Sequence, residues 1–176
     1  SNIRIGERCE NVMEAHDALA QEINEWRYPI GKYESRGQLS PEARRLEIEE
    51  IREMAAKLRG MVQKLTPEQL STPYRPGGWS IRQVVHHLAD NNMNAYLRFK
   101  RGLTEEAPEI PSYREDLWAE LSDYQEEAVD TSLSLLEQLN RRFVTLLEAM
   151  EDVDYNRTFV SLMLGTMTLD TAVQRY

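Results

Sequence analysis

Cysteine is nearly absent from this 176-residue sequence, in which Cys9 is the only one. A single cysteine cannot form an intrachain disulfide, so the chain suits a reducing compartment and we expect a cytoplasmic protein. Long apolar runs are absent too: no stretch approaches the roughly 20 apolar residues that cross a bilayer. The first residues lack the basic-then-apolar order of a secretion signal. The sequence therefore predicts a protein that has no membrane partner.

Basic residues are in deficit, with 21 Lys and Arg against 30 Asp and Glu, which gives a formal net charge of -9. An acidic surface of this size repels phosphate backbones and anionic lipid. We therefore expect no nucleic-acid partner. The length is that of one ordinary domain, which can bury a single core.

Four common functional motifs are also missing from the sequence: GxSxG, GxxxxGK[ST], GxGxxG and HExxH. Their absence removes the sequence support for a nucleophile elbow, a phosphate-binding loop, a dinucleotide fold and a zincin site. Any catalytic chemistry must rest on another arrangement of residues.

Apolar residues instead recur at helical spacing along most of the chain. Residues 9–26 carry a narrow heptad seam, made of Cys9, Val12, His16, Leu19, Ile23 and Trp26. A seam of this kind commonly meets a second helix, so it favours a homo-oligomer, with a dimer the simplest case. His16 lies in the seam, where a polar residue usually sets the helix register, and we interpret it as structural.

Capping signals predict where the next helices begin. Ser40 followed by Pro41 predicts a helix start, and Ser80 with Gln83 three residues later predicts a capping box. The helix after Ser80 is expected to end near Arg101, where Gly102 is a natural stop. Trp79 is interpreted as an apolar staple that closes the preceding loop onto the core.

The second half of the chain is expected to contain a short helix over residues 113–121 and a long helix that opens at Thr131 or Ser132. The pattern then changes to two short strand-like pieces that flank Gly165. A last helix is expected to start between Thr168 and Asp170. Its two turns carry no stop signal, which predicts that the helix is interrupted at residue 176.

Two adjacent histidines, His86 and His87, lie in the helix that follows Ser80, although the whole chain has three. On a helical wheel they fall at opposite borders of the apolar face, because neighbouring residues point about 100° apart. His87 lies in line with Asn91 and Asn94, in a polar stripe. His87 is thus the candidate metal ligand, with Asn91 and Asn94 as candidate orienting groups. The alternative is that both histidines are boundary residues without a ligand role.

Residues 72–110, TPYRPGGWSIRQVVHHLADNNMNAYLRFKRGLTEEAPEI, resemble one stretch of the DinB-like helical-bundle metalloproteins. The YfiT-type branch is the most similar; its members are called metal-dependent hydrolases and are linked to bacillithiol transfer. The resemblance covers residues 27–176 and leaves 1–26 as an extra N-terminal helix. It implies an all-α four-helix bundle, commonly dimeric, with a short hairpin before the last helix.

The resemblance also implies a divalent metal, Zn or Ni, bound by three histidines. One family ligand is the second histidine of the pair, which carries over to His87. The other two form a His-x-x-x-His pair shortly after the tyrosine that aligns with Tyr176, so the printed sequence does not contain them. The implied activity is that of a metal-dependent hydrolase or thiol S-transferase, in which the metal activates water or a low-molecular-weight thiol to attack an electrophilic small molecule. The alternative is a non-catalytic bundle with an incomplete metal site, which binds a small ligand or another protein.

Overall fold

The computed structural model describes residues 17–23, 37–73 and 75–174. Residues 17–23 are helical. The elements that follow are, in chain order, α1 (Pro41–Val62), α2 (Pro67–Ser71), α3 (Ile81–Thr104), β1 (Glu109–Ile110), α4 (Glu115–Trp118), α5 (Ser122–Glu126), α6 (Val129–Ala149), α7 (Asp152–Tyr155), β2 (Thr158–Ser161), β3 (Gly165–Thr168) and α8 (Leu169–Val173). The predicted helical class is confirmed. Within these residues no helix is both long and apolar enough to span a bilayer.

The helix starts that the sequence predicted are in place. The Ser40 hydroxyl accepts a hydrogen bond from the N–H of Ala43 at 3.1 Å, at the first turn of α1. At the start of α3 the Ser80 hydroxyl accepts from the N–H of Gln83 at 3.2 Å. The Gln83 side-chain oxygen accepts from the Ser80 N–H at 3.0 Å in return. These bonds satisfy amide groups that have no partner within their own helix.

Several predicted boundaries were wrong. Helix α3 continues through Gly102 to Thr104, and Gly102 serves a packing role instead, since a Cβ there would lie 2.8 Å from the Leu169 side chain. Helix α6 begins at Val129, two residues before Thr131. The short helix expected over residues 113–121 is present as the shorter α4, and the helix α5 that follows it was not predicted.

The small sheet has three strands instead of the two predicted, in the order β1-β2-β3. Strands β2 and β3 form the expected antiparallel hairpin, and β1 pairs with β2 in parallel. Gly165, with φ of 76°, opens β3 instead of separating two strands. The prediction missed β1 because a strand of two residues shows no alternation.

The core consists of two apolar clusters stacked along the long helices. One contains Ile51 of α1, Phe99 of α3 and Phe143 of α6, together with the last helix. The other contains Leu58 of α1, Leu88 of α3 and Leu136 of α6. Helices α1, α3 and α6 therefore run through both clusters and define the bundle.

Residues 17–23 pack against this bundle, because Ala20 and Ile23 are buried in the second cluster. Ile23 belongs to the predicted seam, and the chain itself covers it. Cys9, Val12, His16 and Trp26 of the seam lie outside the described residues. The boundary after residue 26 and the homo-oligomer both stay predictions.

Candidate functional site

His87 lies in the second turn of α3, and its side chain is buried at 3% exposure. The wheel had placed it at the border of the apolar face, but the packing of neighbouring segments covers it. The ring of Trp79 meets it edge-on, with the ring centroids 5.2 Å apart. Trp79 also packs against the apolar cluster that includes Val84, as the staple interpretation predicted. The contact with Trp79 therefore restricts where the His87 ring lies.

Glu115 faces His87 from the first residue of α4. Its Oε2 lies 3.6 Å from Nε2 of His87, and its side chain is 39% exposed while that of His87 is 3% exposed. Solvent therefore reaches the carboxylate that faces this buried imidazole. Sequence reasoning missed Glu115, because it is one of 30 acidic residues and only the fold brings it beside α3.

His86 occupies a different environment, although it is the neighbour of His87. Its Nε2 lies 3.2 Å from the Glu127 carbonyl oxygen, and its Nδ1 lies 2.6 Å from Oγ of Ser132. A carbonyl only accepts, so Nε2 carries the proton and Nδ1 accepts from the serine hydroxyl. Burial lowers the pKa of His86, which keeps the ring neutral. Both ring nitrogens are therefore engaged within the protein.

A partly buried carboxyl, that of Asp90, lies one turn after His86 on the same helix. Tyr124 of α5 donates its hydroxyl to Oδ2 of Asp90 at 2.5 Å. Burial raises the pKa of Asp90 above its usual range, and burial with the Asp90 contact raises the pKa of Tyr124 as well. The rings of His86 and Tyr124 also lie 5.5 Å apart. These contacts bind α5 to α3 beside the candidate site.

Asn91 and Asn94, the two asparagines predicted to orient His87, are both half-buried. Asn94 donates its side-chain N–H to the Asp90 carbonyl at 2.8 Å, one turn back on α3, so that donor serves its own helix. The predicted role of Asn91 and Asn94 in orienting His87 stays a prediction.

A third asparagine, Asn92, was not singled out from the sequence, yet it is buried at 1% exposure. It donates to Oδ1 of Asn140 on α6 at 2.8 Å. Asn140 donates in turn to the Ile51 carbonyl of α1 at 3.1 Å. This polar layer separates the two apolar clusters and joins the three long helices.

The fit of a metal ion can be judged from the donors around His87. Imidazole nitrogen and carboxylate oxygen are both zinc ligands, and two ligands of one tetrahedral ion lie roughly 3.4 Å apart when each bond is near 2.1 Å. The separation of 3.6 Å between His87 and Glu115 is close to that value. Within residues 17–23, 37–73 and 75–174, however, no three His, Cys, Asp or Glu side chains form a group that could hold a metal. The described residues thus supply a fitting pair of donors and not a complete site.

Comparisons with known proteins define the class to which this bundle belongs. A family model of the DinB superfamily matches residues 50–176, and the chain belongs to that superfamily. It is 47% identical, over 75% of its length and 74% of the relative's, to a Bacillus subtilis (strain 168) protein named "Putative metal-dependent hydrolase YfiT". A Bacillus cereus (strain 03BB102) protein named "Putative metal-dependent hydrolase" is 42% identical over 88% of each chain.

A solved structure is similar as well. It is that of YfiT from Bacillus subtilis, described as having an unusual four-helix bundle topology. It matches with a TM-score of 0.81 and 43% identity, over 86% of this chain and 87% of that one. The predicted DinB-like four-helix bundle is therefore confirmed.

Proposed function

We propose that this protein is a metal-dependent hydrolase in which His87 supplies one ligand to a divalent metal, Zn or Ni. The observation that carries the proposal is the difference between the two adjacent histidines. His86 uses both nitrogens inside the protein, whereas Nε2 of His87 faces a partly exposed carboxylate. The names of the relatives point to the same class of chemistry.

The surroundings of His87 suit a ligand role for physical reasons. Trp79 restricts the rotation of the imidazole, so that little entropy is lost when the nitrogen binds a cation. Burial excludes bulk water from one side of the ring and strengthens electrostatic interactions there. Asn91 and Asn94 lie one and two turns further along α3 and would orient groups at the rim.

When bound at such a site, a divalent metal lowers the pKa of a coordinated nucleophile and polarises the group under attack. Glu115 would then either hold a ligand position or accept a proton from the nucleophile, because its carboxylate is within reach of both His87 and solvent. A substitution separates these roles. If Glu115 is a base, Glu115→Gln keeps the metal and lowers kcat about 100-fold or more; if it is a ligand, the metal is lost too.

We further propose that the nucleophile is water or a low-molecular-weight thiol, and that the substrate is an electrophilic small molecule. The protein can be stripped of metal by a chelator and reloaded with Zn or Ni. It is then assayed with two substrate classes, an activated ester and an alkyl halide, each in the absence and presence of a thiol. Ester cleavage without thiol supports the hydrolase. Product formation that requires the thiol and yields a thioether from an alkyl halide supports the transferase. Absence of metal-dependent turnover with both substrate classes would favour the alternative, a bundle that binds a ligand without chemistry.

A further inference from the structure

A surface groove lies between α3 and α6, with a volume of about 510 Å³. Tyr96 and Leu146 give it an apolar floor, and Lys100, Gln138, Arg141 and Arg142 stand at its sides. This volume falls within the roughly 300–1,000 Å³ of small-molecule sites. Tyr96 follows His87 by nine residues on α3, which is half a turn out of phase, so the groove opens away from the candidate metal site.

Positive charge converges on this groove. The Lys100 ammonium lies 4.9 Å from the centroid of the Tyr96 ring, and the Arg142 guanidinium carbon lies 5.5 Å from the same centroid. Arg141 adds a third cation beside them. Like charges that share one groove repel each other even in water, where a pair about 4 Å apart is destabilised by about 1 kcal/mol. The faces of one aromatic ring offset only part of that repulsion.

Several other cations on the long helices, in contrast, have carboxylate partners. Arg59 pairs with Glu137 and with Asp130, and Arg101 pairs with Glu105. Among the described residues no ion pair involves Lys100, Arg141 or Arg142. In a chain with a net charge of -9, carboxylates are plentiful, so the groove keeps its positive charge despite the composition.

We propose that the groove between α3 and α6 binds a small organic anion, one that carries a phosphate or carboxylate group on an apolar body. The anionic group lies between Lys100 and the two arginines, where charge-assisted hydrogen bonds are available to it. The apolar body rests on Tyr96 and Leu146. The exposed amide of Gln138 adds a neutral donor at the edge.

The test uses phenyl phosphate and benzoate as probes, with phenol as the uncharged control, and follows backbone amide shifts by NMR. We expect saturable binding of at least one anion, with the shifts centred on Tyr96, Lys100 and Arg142, and no binding of phenol at the same concentration. Comparison of the two anions identifies phosphate or carboxylate as the preferred group.

The matched variants are Arg142→Gln and Lys64→Gln, each of which removes one exposed positive charge. Loss of one charge-assisted contact should weaken anion binding about tenfold in Arg142→Gln. Lys64→Gln should leave the Kd within about twofold, since distant surface charges are screened. Equal affinities in the two variants, shifts centred on His87, or no saturation by about 10 mM anion would overturn the proposal. None of these readouts depends on metal or on catalysis, so the proposed hydrolase function can fail without affecting them.

Discussion

The side-chain N–H of Asn92 donates to the side-chain oxygen of Asn140 across 2.8 Å, in the middle of an apolar bundle. Asn140 then donates to the Ile51 carbonyl, so one chain of bonds joins α3, α6 and α1. Buried polar groups are expensive unless they are paired, and pairing across helices occurs in only one register. The layer thus fixes the relative heights of the three long helices, including the one that carries His87.

Replacing Asn140 with alanine should destabilise the fold strongly. The change removes two hydrogen bonds and leaves the Asn92 amide buried, which costs about 2–4 kcal/mol in the free energy of unfolding. Urea denaturation measures the loss. Asn156→Ala, at an exposed position, is the control and should cost less than about 1 kcal/mol. Equal losses in the two variants would show that the buried layer contributes no special stability.

The last helix is held by a buried ion pair. Asp170 of α8 accepts from the guanidinium of Arg44 at 2.8 and 3.1 Å, and from the N–H of Leu39 at 2.9 Å. Asp170→Asn should therefore destabilise the protein by about 3 kcal/mol, because the buried guanidinium of Arg44 keeps only the exposed carboxylate of Asp152 as a charged partner. Asp116→Asn breaks an exposed pair with Arg114 and should cost under about 1 kcal/mol. Thermal unfolding of both variants tests the contrast, and a small loss for Asp170→Asn would refute it.

Ser80→Ala should lower stability by about 1 kcal/mol, through the loss of the cap on α3. Metal binding should be unchanged, since the cap serves the helix and not the metal. Ser122→Ala is the control, because Ser122 is exposed and stands just after an N-cap that makes no side-chain bond. A melting midpoint equal to that of the wild type in Ser80→Ala would contradict the cap assignment.

His86 should make stability depend on pH. Its folded-state pKa is lowered by burial, so on acidification the unfolded chain gains a proton near pH 6.5 before the folded protein does. The free energy of unfolding should therefore fall as the pH drops through 6.5 towards that lowered pKa. In His86→Gln this part of the decline should disappear, while Asp90, whose raised pKa acts in the opposite direction, is present in both proteins. Denaturation at about pH 7.5 and about pH 5.5 measures the difference. An unchanged decline in the variant would argue against a neutral His86 in the fold.

Local chemistry explains which features could be predicted from the sequence. The caps at Ser40 and Ser80 depend on residues three apart, so the sequence contains all of their information. The placement of His86 and His87 at opposite borders of the apolar face also followed from helical geometry alone. The contact between Asn92 and Asn140 spans 48 residues, and that between Arg44 and Asp170 spans 126. No periodicity links such residues.

The burial of the two histidines shows the same limit. A wheel for α3 gives the direction of each side chain but not what covers it. His87 is buried because Trp79 and α4 close over it, and His86 because the segment before α6 does. Glu115 likewise lies beside His87 because the chain after α3 folds back along that helix. The sequence did not predict the course of this segment.

Metal content per chain tests the central claim most directly. The protein as its gene encodes it, His87→Ala and His86→Ala should each be purified, loaded with Zn or Ni, dialysed and analysed for bound metal. We expect His87→Ala to lose nearly all stoichiometric metal, because a site needs three or four protein ligands, and His86→Ala to keep most of it. Circular dichroism confirms that both variants are folded. Full metal occupancy in a folded His87→Ala, with loss in His86→Ala, would show that the wrong histidine has been assigned.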